Sequence, residues 1–162
     1  MLESFCTLVG EQRAQQAVGF YRERYSEIGW KENTAYPGMV ETLAKLAETP
    51  LPMFVATSKP LVYARRIVEY FELMPYFKQI FGSELDGTRA DKSDLLRFAL
   101  SETDATANST MIGDRKHDVT GALNNSLNTI GVTCGYGTIG ELEEAGVHRT
   151  ADRPEDLLAL LL

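Results

Sequence analysis

Short apolar runs that alternate with helical patterns constrain the fold of this chain more than any other feature. Four such runs occur after Pro37, and turn-forming or polar residues follow each of them: residues 53–56, 79–81, 109–112 and 129–132. Continuous apolar runs of this length are typical of strands that are buried on both faces of a parallel sheet. Strands that alternate with helices form βαβ units. We therefore predict an α/β fold with a Rossmann-like parallel sheet, to which residues 149–151 add an edge strand.

The segments between these runs carry apolar residues at intervals of three and four positions, as amphipathic helices do. After Pro37, helices are predicted over residues 40–47, 60–71, 91–101, 114–118, 141–145 and from 154 onward. Before Pro37 the pattern predicts one clear helix, over residues 10–28, and then a polar stretch that ends at Pro37-Gly38. We place a domain boundary there, between residues 1–36 and residues 37–162.

Composition limits the classes of function. The 162 residues suit one globular core, and 16 basic against 23 acidic residues give a net charge of −7. An acidic protein is not expected to bind nucleic acid or an anionic membrane non-specifically. No apolar run approaches membrane-spanning length, and the first residues lack the pattern of a signal peptide. Cys6 and Cys134 are expected to be reduced thiols, with a single bridge as the alternative. We expect a soluble, cytoplasmic protein.

The segment Met111-Ile112-Gly113-Asp114-Arg115-Lys116-His117-Asp118 joins a predicted strand to a predicted helix. Asp114 and Asp118, four residues apart, are expected to share one face of the first helical turn. The junction would place them at the carboxyl edge of the sheet, where open α/β folds bind ligands. Carboxylate oxygens at such an edge suit Mg²⁺. The alternative is a helix-capping aspartate followed by a solvated acid.

Two further positions are candidates for phosphate binding. Thr57 and Ser58 follow a predicted buried strand, and their hydroxyl groups could donate to a phosphate oxygen. The alternative for this pair is an ordinary helix cap. Lys92 is placed at the start of a helix, where its charge opposes the helix dipole and gains nothing structurally. The alternative for Lys92 is a solvated side chain.

Two glycine-containing motifs resemble functional signatures, but we assign neither of them a catalytic or dinucleotide-binding role. Gly135-Tyr136-Gly137-Thr138-Ile139-Gly140 matches the dinucleotide fingerprint, but only 22 residues follow Gly140, too few for a dinucleotide-binding half. We expect these glycines to shape a turn near the site. Leu85-Asp86-Gly87-Thr88 has the chemistry of an ordinary Asp-Gly turn, and we do not assign Asp86 as a nucleophile.

The order of these motifs resembles the haloacid dehalogenase (HAD) superfamily of phosphatases, and within it the phosphoglycolate phosphatase and 5′-nucleotidase-like branch. The resemblance covers Pro37 to Leu162, and the loop from Phe81 to Lys92 is especially similar to the nucleotidase-like group. It implies Mg²⁺-dependent hydrolysis of a small phosphate monoester, either a nucleoside monophosphate or 2-phosphoglycolate.

The resemblance also implies a role for each candidate residue. Thr57, with Ser58, would hold the transferring phosphoryl group, and Lys92 would neutralise its charge. Asp114 would coordinate Mg²⁺, while Asp118 would support the metal's water or the lysine. These roles suit phosphoryl transfer, which depends on alignment and charge neutralisation. The resemblance assigns no role to His117.

One departure from the family pattern matters. The family begins with a strand that ends in D-x-D-G-T, whose first aspartate attacks phosphorus, and this sequence contains no such motif. Residues 1–36 resemble the latter part of the family's helical cap. The resemblance therefore implies an N-terminally truncated HAD chain with little or no activity alone. It also implies a missing central strand, between the strands that end at Thr57 and at Ile112.

Such a loss would leave two strand edges unpaired, unless they close on each other or a partner chain completes the sheet. Two alternatives to a catalytic fragment remain open. One is a non-catalytic module that binds a phosphorylated ligand or a partner chain. The other, less favoured, is an NAD-binding domain.

Overall fold

A computed structural model of the chain describes residues 2–106 and 108–162, with side chains from Phe5 onward. Contacts divide the chain into two units, Met1–Thr34 and Ala35–Leu162. This division falls two residues before the predicted boundary. The identification of residues 1–36 as part of a helical cap stays a prediction. Among the described residues, no helix combines the length and apolarity that a membrane span requires.

The first unit contains two helices that pack against each other, α1 (Leu2–Val9) and α2 (Glu11–Glu27). Gly10 joins them with a φ of 80°, a conformation that glycine adopts without strain. The Tyr21 and Tyr25 rings stack with their centroids 5.5 Å apart, and Phe5 tilts against Tyr21 at 5.8 Å. The predicted helix over residues 10–28 is confirmed. The sequence analysis assigned no helix to residues 2–9.

The second unit alternates strands and helices, as predicted, and its strand pairs are all parallel. The α/β fold is therefore confirmed. Its elements in chain order are α3 (Met39–Ala47), β1 (Phe54–Pro60), α4 (Leu61–Tyr70), β2 (Gln79–Ser83), α5 (Lys92–Ser101), β3 (Thr110–Gly113), α6 (Lys116–Leu123), β4 (Asn128–Val132), α7 (Ile139–Glu144), β5 (Arg149–Ala151) and α8 (Asp156–Leu161). A short 3₁₀ turn, Met74–Tyr76, precedes β2.

The strands form two sheets. β1 pairs with β2, and β3, β4 and β5 form a second sheet in that order. Across residues 2–106 and 108–162, no backbone ladder joins β1 to β3. The strands that end near Thr57 and Ile112 therefore do not close on each other.

Helices cover both faces of these strands. Phe54 and Ala56 of β1 pack against α5, through Leu95 and Ala99, whereas Val55 packs against α4. In β3, Met111 joins a cluster with α5 and α6, and Ile112 joins one with α8. Alternate side chains of each strand therefore face opposite helical layers, as the continuous apolar runs predicted.

Two element boundaries differ from the prediction, and both matter for the site. β1 continues to Pro60 instead of ending at residue 56, with a shift of register between Thr57 and Pro60. α6 begins at Lys116, because Arg115 is extended (φ −126°, ψ 153°). The prediction that Asp114 and Asp118 share a helical face is therefore wrong: Asp114 precedes the helix and Asp118 lies in its first turn.

Candidate functional site

The carboxyl ends of β1 and β3 carry the candidate residues, all of which belong to the second unit. Thr57 lies near the end of β1, and Asp114 directly follows β3. Lys92 begins α5, the helix that packs beneath β1. Asp118 lies on α6, and α5 and α6 contact each other. The topology therefore brings these four positions to one edge of the two sheets.

Lys92 makes the best-defined contact at this edge. Its Nζ lies 2.9 Å from Oδ1 of Asp118 and donates to the backbone oxygen of Ala56 at 2.8 Å. Its side chain is 8% exposed and that of Asp118 is 14% exposed, so the solvated-lysine alternative is wrong. One ammonium group thus links α6 to the residue that precedes Thr57. Removing either charge would leave the other buried without its partner, which is costly.

Glycines make room for this ion pair. A Cβ at Gly121 of α6 would lie 2.6 Å from Cγ of Lys92, and a Cβ at Gly113 would overlap the Asp118 side chain. Oδ2 of Asp118 accepts a hydrogen bond from the backbone N–H of Arg115 at 3.2 Å, which caps the start of α6. Both carboxylate oxygens of Asp118 are therefore engaged within the protein.

Asp114 has a different environment. Its Oδ2 accepts a hydrogen bond from the backbone N–H of Tyr136 at 2.7 Å. A Cβ at Gly135 would overlap the Asp114 side chain, and a Cβ at Gly137 would overlap its backbone oxygen. The loop after β4 therefore wraps around Asp114 because these two positions are glycine. The expectation that the glycines of this motif shape a turn is confirmed for Gly135 and Gly137, whereas Gly140 lies in α7.

Thr57 and Ser58 do not cap α4. The N-cap position belongs to Pro60, which makes no side-chain capping bond, so the helix-cap alternative for this pair is wrong. Oγ1 of Thr57 accepts a hydrogen bond from the backbone N–H of Lys59 at 3.2 Å. Ser58 is exposed, and its backbone oxygen accepts from Oγ of Ser83 at 2.9 Å. The Thr57 hydroxyl still has its hydrogen to donate.

Sequence reasoning missed Glu141 on α7. Its Oε1 accepts from the backbone N–H of Lys116 and from Nε of Arg115, each at 2.9 Å. The Lys116 hydrogen bond is the main cause of a lowered pKa at Glu141, with Arg115 contributing further. The hydrogen bond from Arg115 to Glu141, together with the charge of Glu141, raises the pKa of Arg115. Glu141 thus stabilises the N-terminus of α6 from 25 residues away, a contact with no local sequence signal.

Two further titratable side chains, Tyr36 and Cys134, interact electrostatically with Asp114. Burial raises the pKa of the Tyr36 phenol, and the nearby Tyr136 and Asp114 raise it further. Burial likewise raises the pKa of the Cys134 thiol, to which Asp114 and Glu155 add. The Asp114 carboxylate therefore disfavours a second negative charge on these two side chains.

The remaining candidates lie outside this cluster of contacts. Asp86 is exposed and accepts from the backbone N–H of Thr88 at 2.8 Å, and the Thr88 hydrogen bonds lower its pKa. Gly87 adopts a φ of 95°, so this is the Asp-Gly turn that was expected. His117 is exposed on α6.

Among the described side chains, the carboxylates do not by themselves form a Mg²⁺ site. Within the part of the chain that the structure describes, no three His, Cys, Asp or Glu side chains cluster as metal ligands. Asp118 is committed to Lys92 and Arg115, which leaves Asp114 as one carboxylate at this edge. Mg²⁺ requires an octahedral set of oxygens. The further ligands would have to come from water, from a phosphate or from another segment.

Comparisons with known proteins identify several relatives of this chain. The family model described as haloacid dehalogenase-like hydrolase matches residues 2–132. A 5′-nucleotidase of Pseudomonas aeruginosa is 43% identical over an alignment of 163 residues, which covers 99% of this chain and 72% of that protein. The tyrosine-protein kinase PtkA of Mycobacterium tuberculosis is 38% identical over 127 residues, 78% of this chain and 44% of that protein.

Solved structures are similar over nearly the whole chain. A crystal structure described as a predicted phosphatase from Clostridium acetobutylicum superposes with a TM-score of 0.89 and 37% sequence identity. The match covers 99% of this chain and 77% of that one. These relatives are thus longer than this chain, and the similarity extends over both of its units.

Proposed function

Because the chain belongs to the haloacid dehalogenase-like hydrolases, we propose that it carries the phosphate-binding part of a Mg²⁺-dependent phosphate monoester hydrolase. The observation that carries this proposal is the buried Lys92. Its Nζ contacts both Asp118 and the backbone oxygen of Ala56, at the carboxyl edge of the strands. A buried cation held at that edge is suited to neutralising the charge of a bound phosphoryl group.

Each residue has a defined task in this proposal. Thr57 and Ser58 donate their hydroxyl hydrogens to phosphate oxygens, and Lys92 balances the negative charge. Asp118 is a positioning residue, because it holds the Lys92 ammonium in place. Asp114 offers one carboxylate toward Mg²⁺, and the metal site is completed only by ligands that this chain does not supply. Mg²⁺, once bound, would polarise a phosphoryl oxygen.

We further propose that the chain alone does not turn over substrate. This sequence contains no D-x-D-G-T motif, whose aspartates in the family attack phosphorus and protonate the leaving group. For the substrate class we propose a nucleoside monophosphate or 2-phosphoglycolate. The similarity to a protein named 5′-nucleotidase supports the nucleotide.

The proposal is tested by hydrolysis and by binding. With Mg²⁺ and adenosine 5′-monophosphate or 2-phosphoglycolate, the purified chain should release no more phosphate than its Asp114→Ala variant. Turnover that disappears in Asp114→Ala would contradict the claim of inactivity. Inorganic phosphate at about ten times its Kd should stabilise the chain by about 1.4 kcal/mol.

A matched pair of threonine variants localises the phosphate. Thr57→Val should abolish the phosphate-dependent rise in Tm, since it removes the donating hydroxyl and keeps the shape. Thr150→Val changes an exposed threonine on β5 and should keep that rise. If both variants respond to phosphate as the parent chain does, the assignment of Thr57 fails.

A second candidate function is a non-catalytic module that binds a partner chain. Among the described residues, β1 pairs only with β2 and β3 only with β4, and these open strand edges favour it. The NAD-binding alternative lacks such support, because Gly135 and Gly137 are occupied in wrapping around Asp114. NAD should therefore not change the Tm.

A further inference from the structure

We infer that Ser83 of β2 is a positioning residue for the phosphate site, because it orients the peptide unit that holds the Thr57 hydroxyl. The inference rests on the proposed function and adds to it a residue that acts through another. Ser83 is only 2% exposed, and its Oγ donates to the backbone oxygen of Ser58 at 2.9 Å. A buried hydroxyl that donates to a carbonyl 25 residues away fixes the backbone at that carbonyl.

Two hydrogen bonds meet on the peptide unit that joins Ser58 to Lys59. Its carbonyl oxygen accepts from Ser83, and its N–H donates to Oγ1 of Thr57 at 3.2 Å. A trans peptide unit is planar, and its C=O and N–H point in opposite directions. Holding the carbonyl oxygen on Ser83 therefore directs the N–H toward Thr57. Because Oγ1 of Thr57 accepts this N–H, the hydroxyl hydrogen is turned away from Lys59 and stays available to another acceptor.

A local irregularity of β1 makes this arrangement possible. Thr57 pairs with Gly82 and Pro60 pairs with Ser83, so β1 has two extra residues, 58 and 59, at this point. Bulges of this kind bend a strand and re-aim its side chains, and they are frequent next to binding sites. The Ser83 hydroxyl supplies a hydrogen bond across the bulge, where the regular register of the two strands is interrupted.

Gly82 allows the bulge to lie directly against β2. A Cβ at Gly82 would lie 2.7 Å from Cα of Leu61 and 2.8 Å from the backbone oxygen of Lys59. Both contacts are with backbone atoms, so a larger residue at this position would push the bulge away from β2 and lengthen the hydrogen bond from Ser83. The two adjacent residues therefore act together: the glycine admits the bulge, and the serine fixes it.

Thr57 is fixed through the backbone on both of its sides. On the N-terminal side, the backbone oxygen of Ala56 accepts from Nζ of Lys92 at 2.8 Å. On the C-terminal side, Ser83 holds the backbone oxygen of Ser58. Because Lys92 begins α5 and Ser83 ends β2, two separate elements hold the strand end that carries the hydroxyl. A donor that is already oriented binds an anion at a lower entropic cost than one that must be ordered on binding.

Titration of the full chain with inorganic phosphate, followed by amide NMR, tests this role. Ser83→Ala removes the donor and should weaken phosphate binding by about fivefold, the effect of one net hydrogen bond. Before phosphate is added, the Lys59 amide of this variant should shift and exchange faster. Thr129→Val is the matched control, because it also removes a buried hydroxyl, which accepts from the His148 N–H at 2.9 Å, but at the amino end of β4. It should lower the Tm comparably and leave the phosphate Kd unchanged.

Two results would overturn the inference alone. One is a parent chain that binds phosphate while Ser83→Ala binds it equally well, or while Thr129→Val loses as much affinity, since the loss would then follow from lower stability. The other is a Lys59 amide that does not change in phosphate-free Ser83→Ala. A parent chain whose spectrum does not respond to phosphate would instead contradict the proposed function, and this inference with it, before any variant is compared.

Discussion

Asp114 and Asp118 belong to one short motif, yet the fold gives them different tasks. Asp118 is 14% exposed, pairs with buried Lys92 and also accepts the Arg115 N–H. Asp114 lies outside the helix, and its side chain accepts a hydrogen bond from the N–H of exposed Tyr136. The difference indicates that Asp118 holds the Lys92 ammonium in place. Under the proposed function, Asp114 is the carboxylate that remains available to a cation.

The largest expected effect is that of Asp118→Ala. It leaves the Lys92 ammonium buried without its counter-charge, which should lower the free energy of unfolding by about 3–5 kcal/mol. Denaturant unfolding, followed by circular dichroism, measures this. The double variant Lys92→Met with Asp118→Leu removes both charges and should recover most of the loss. A cost below about 1 kcal/mol for Asp118→Ala would mean that water already screens the pair.

The loop around Asp114 is tested by a pair of glycine variants. In Gly137→Ala the new methyl group would overlap the backbone oxygen of Asp114, so the loop must move, at a cost of about 1–3 kcal/mol. Gly140→Ala is the matched control, because no atom outside its chain neighbours and its own helix backbone lies within 4 Å of its Cβ position. It should change stability by no more than about 0.5 kcal/mol. Equal costs for the two variants would contradict the close approach.

Asp114→Ala should have a smaller effect than either Asp118→Ala or Gly137→Ala. It removes one hydrogen bond, to an exposed backbone N–H, which is worth about 1 kcal/mol or less. The same unfolding experiment gives the comparison with Asp118→Ala directly. If Asp114→Ala costs as much as Asp118→Ala, the two carboxylates are equally structural and their proposed division of tasks is wrong.

Glu141 gives the smallest effect, and it depends on pH. Because its pKa is lowered in the folded state, its contribution is complete above the ordinary carboxyl pKa and is lost as the pH falls through the folded value. Glu141→Gln should therefore lower the Tm at neutral pH and leave it nearly unchanged in acid. Thermal unfolding from about pH 7 to about pH 3 measures this, and a constant difference in Tm would contradict it.

Local pattern predicted much of the second unit. The apolar runs are strands, and the residues between them form helices. A strand buried on both faces carries a continuous apolar run, whereas a helix buried on one face carries apolar residues every three or four positions. Lys92 could be singled out because a lysine at a helix start is unfavourable in isolation. Its burial beside Asp118 follows from the packing of α5 on α6, which the sequence pattern does not display.

Other features depend on contacts between distant residues and were not predictable. The N-terminus of α6 is fixed by Glu141, and the position of Asp114 by the loop at Tyr136. Without these contacts the motif suggested a helix that begins at Asp114. The extension of β1 to Pro60 likewise depends on pairing with Ser83 of β2.

The measurement that tests the central claim most directly is an amide NMR titration of the chain with inorganic phosphate. The proposed phosphate site predicts saturable shifts at Thr57, Ser58 and Lys92, and none in α1 or α2. The Thr57→Val variant should lose these shifts, while Thr150→Val should keep them. Shifts that map to other basic residues, or a spectrum that does not respond to phosphate, would contradict the claim that this edge binds a phosphoryl group.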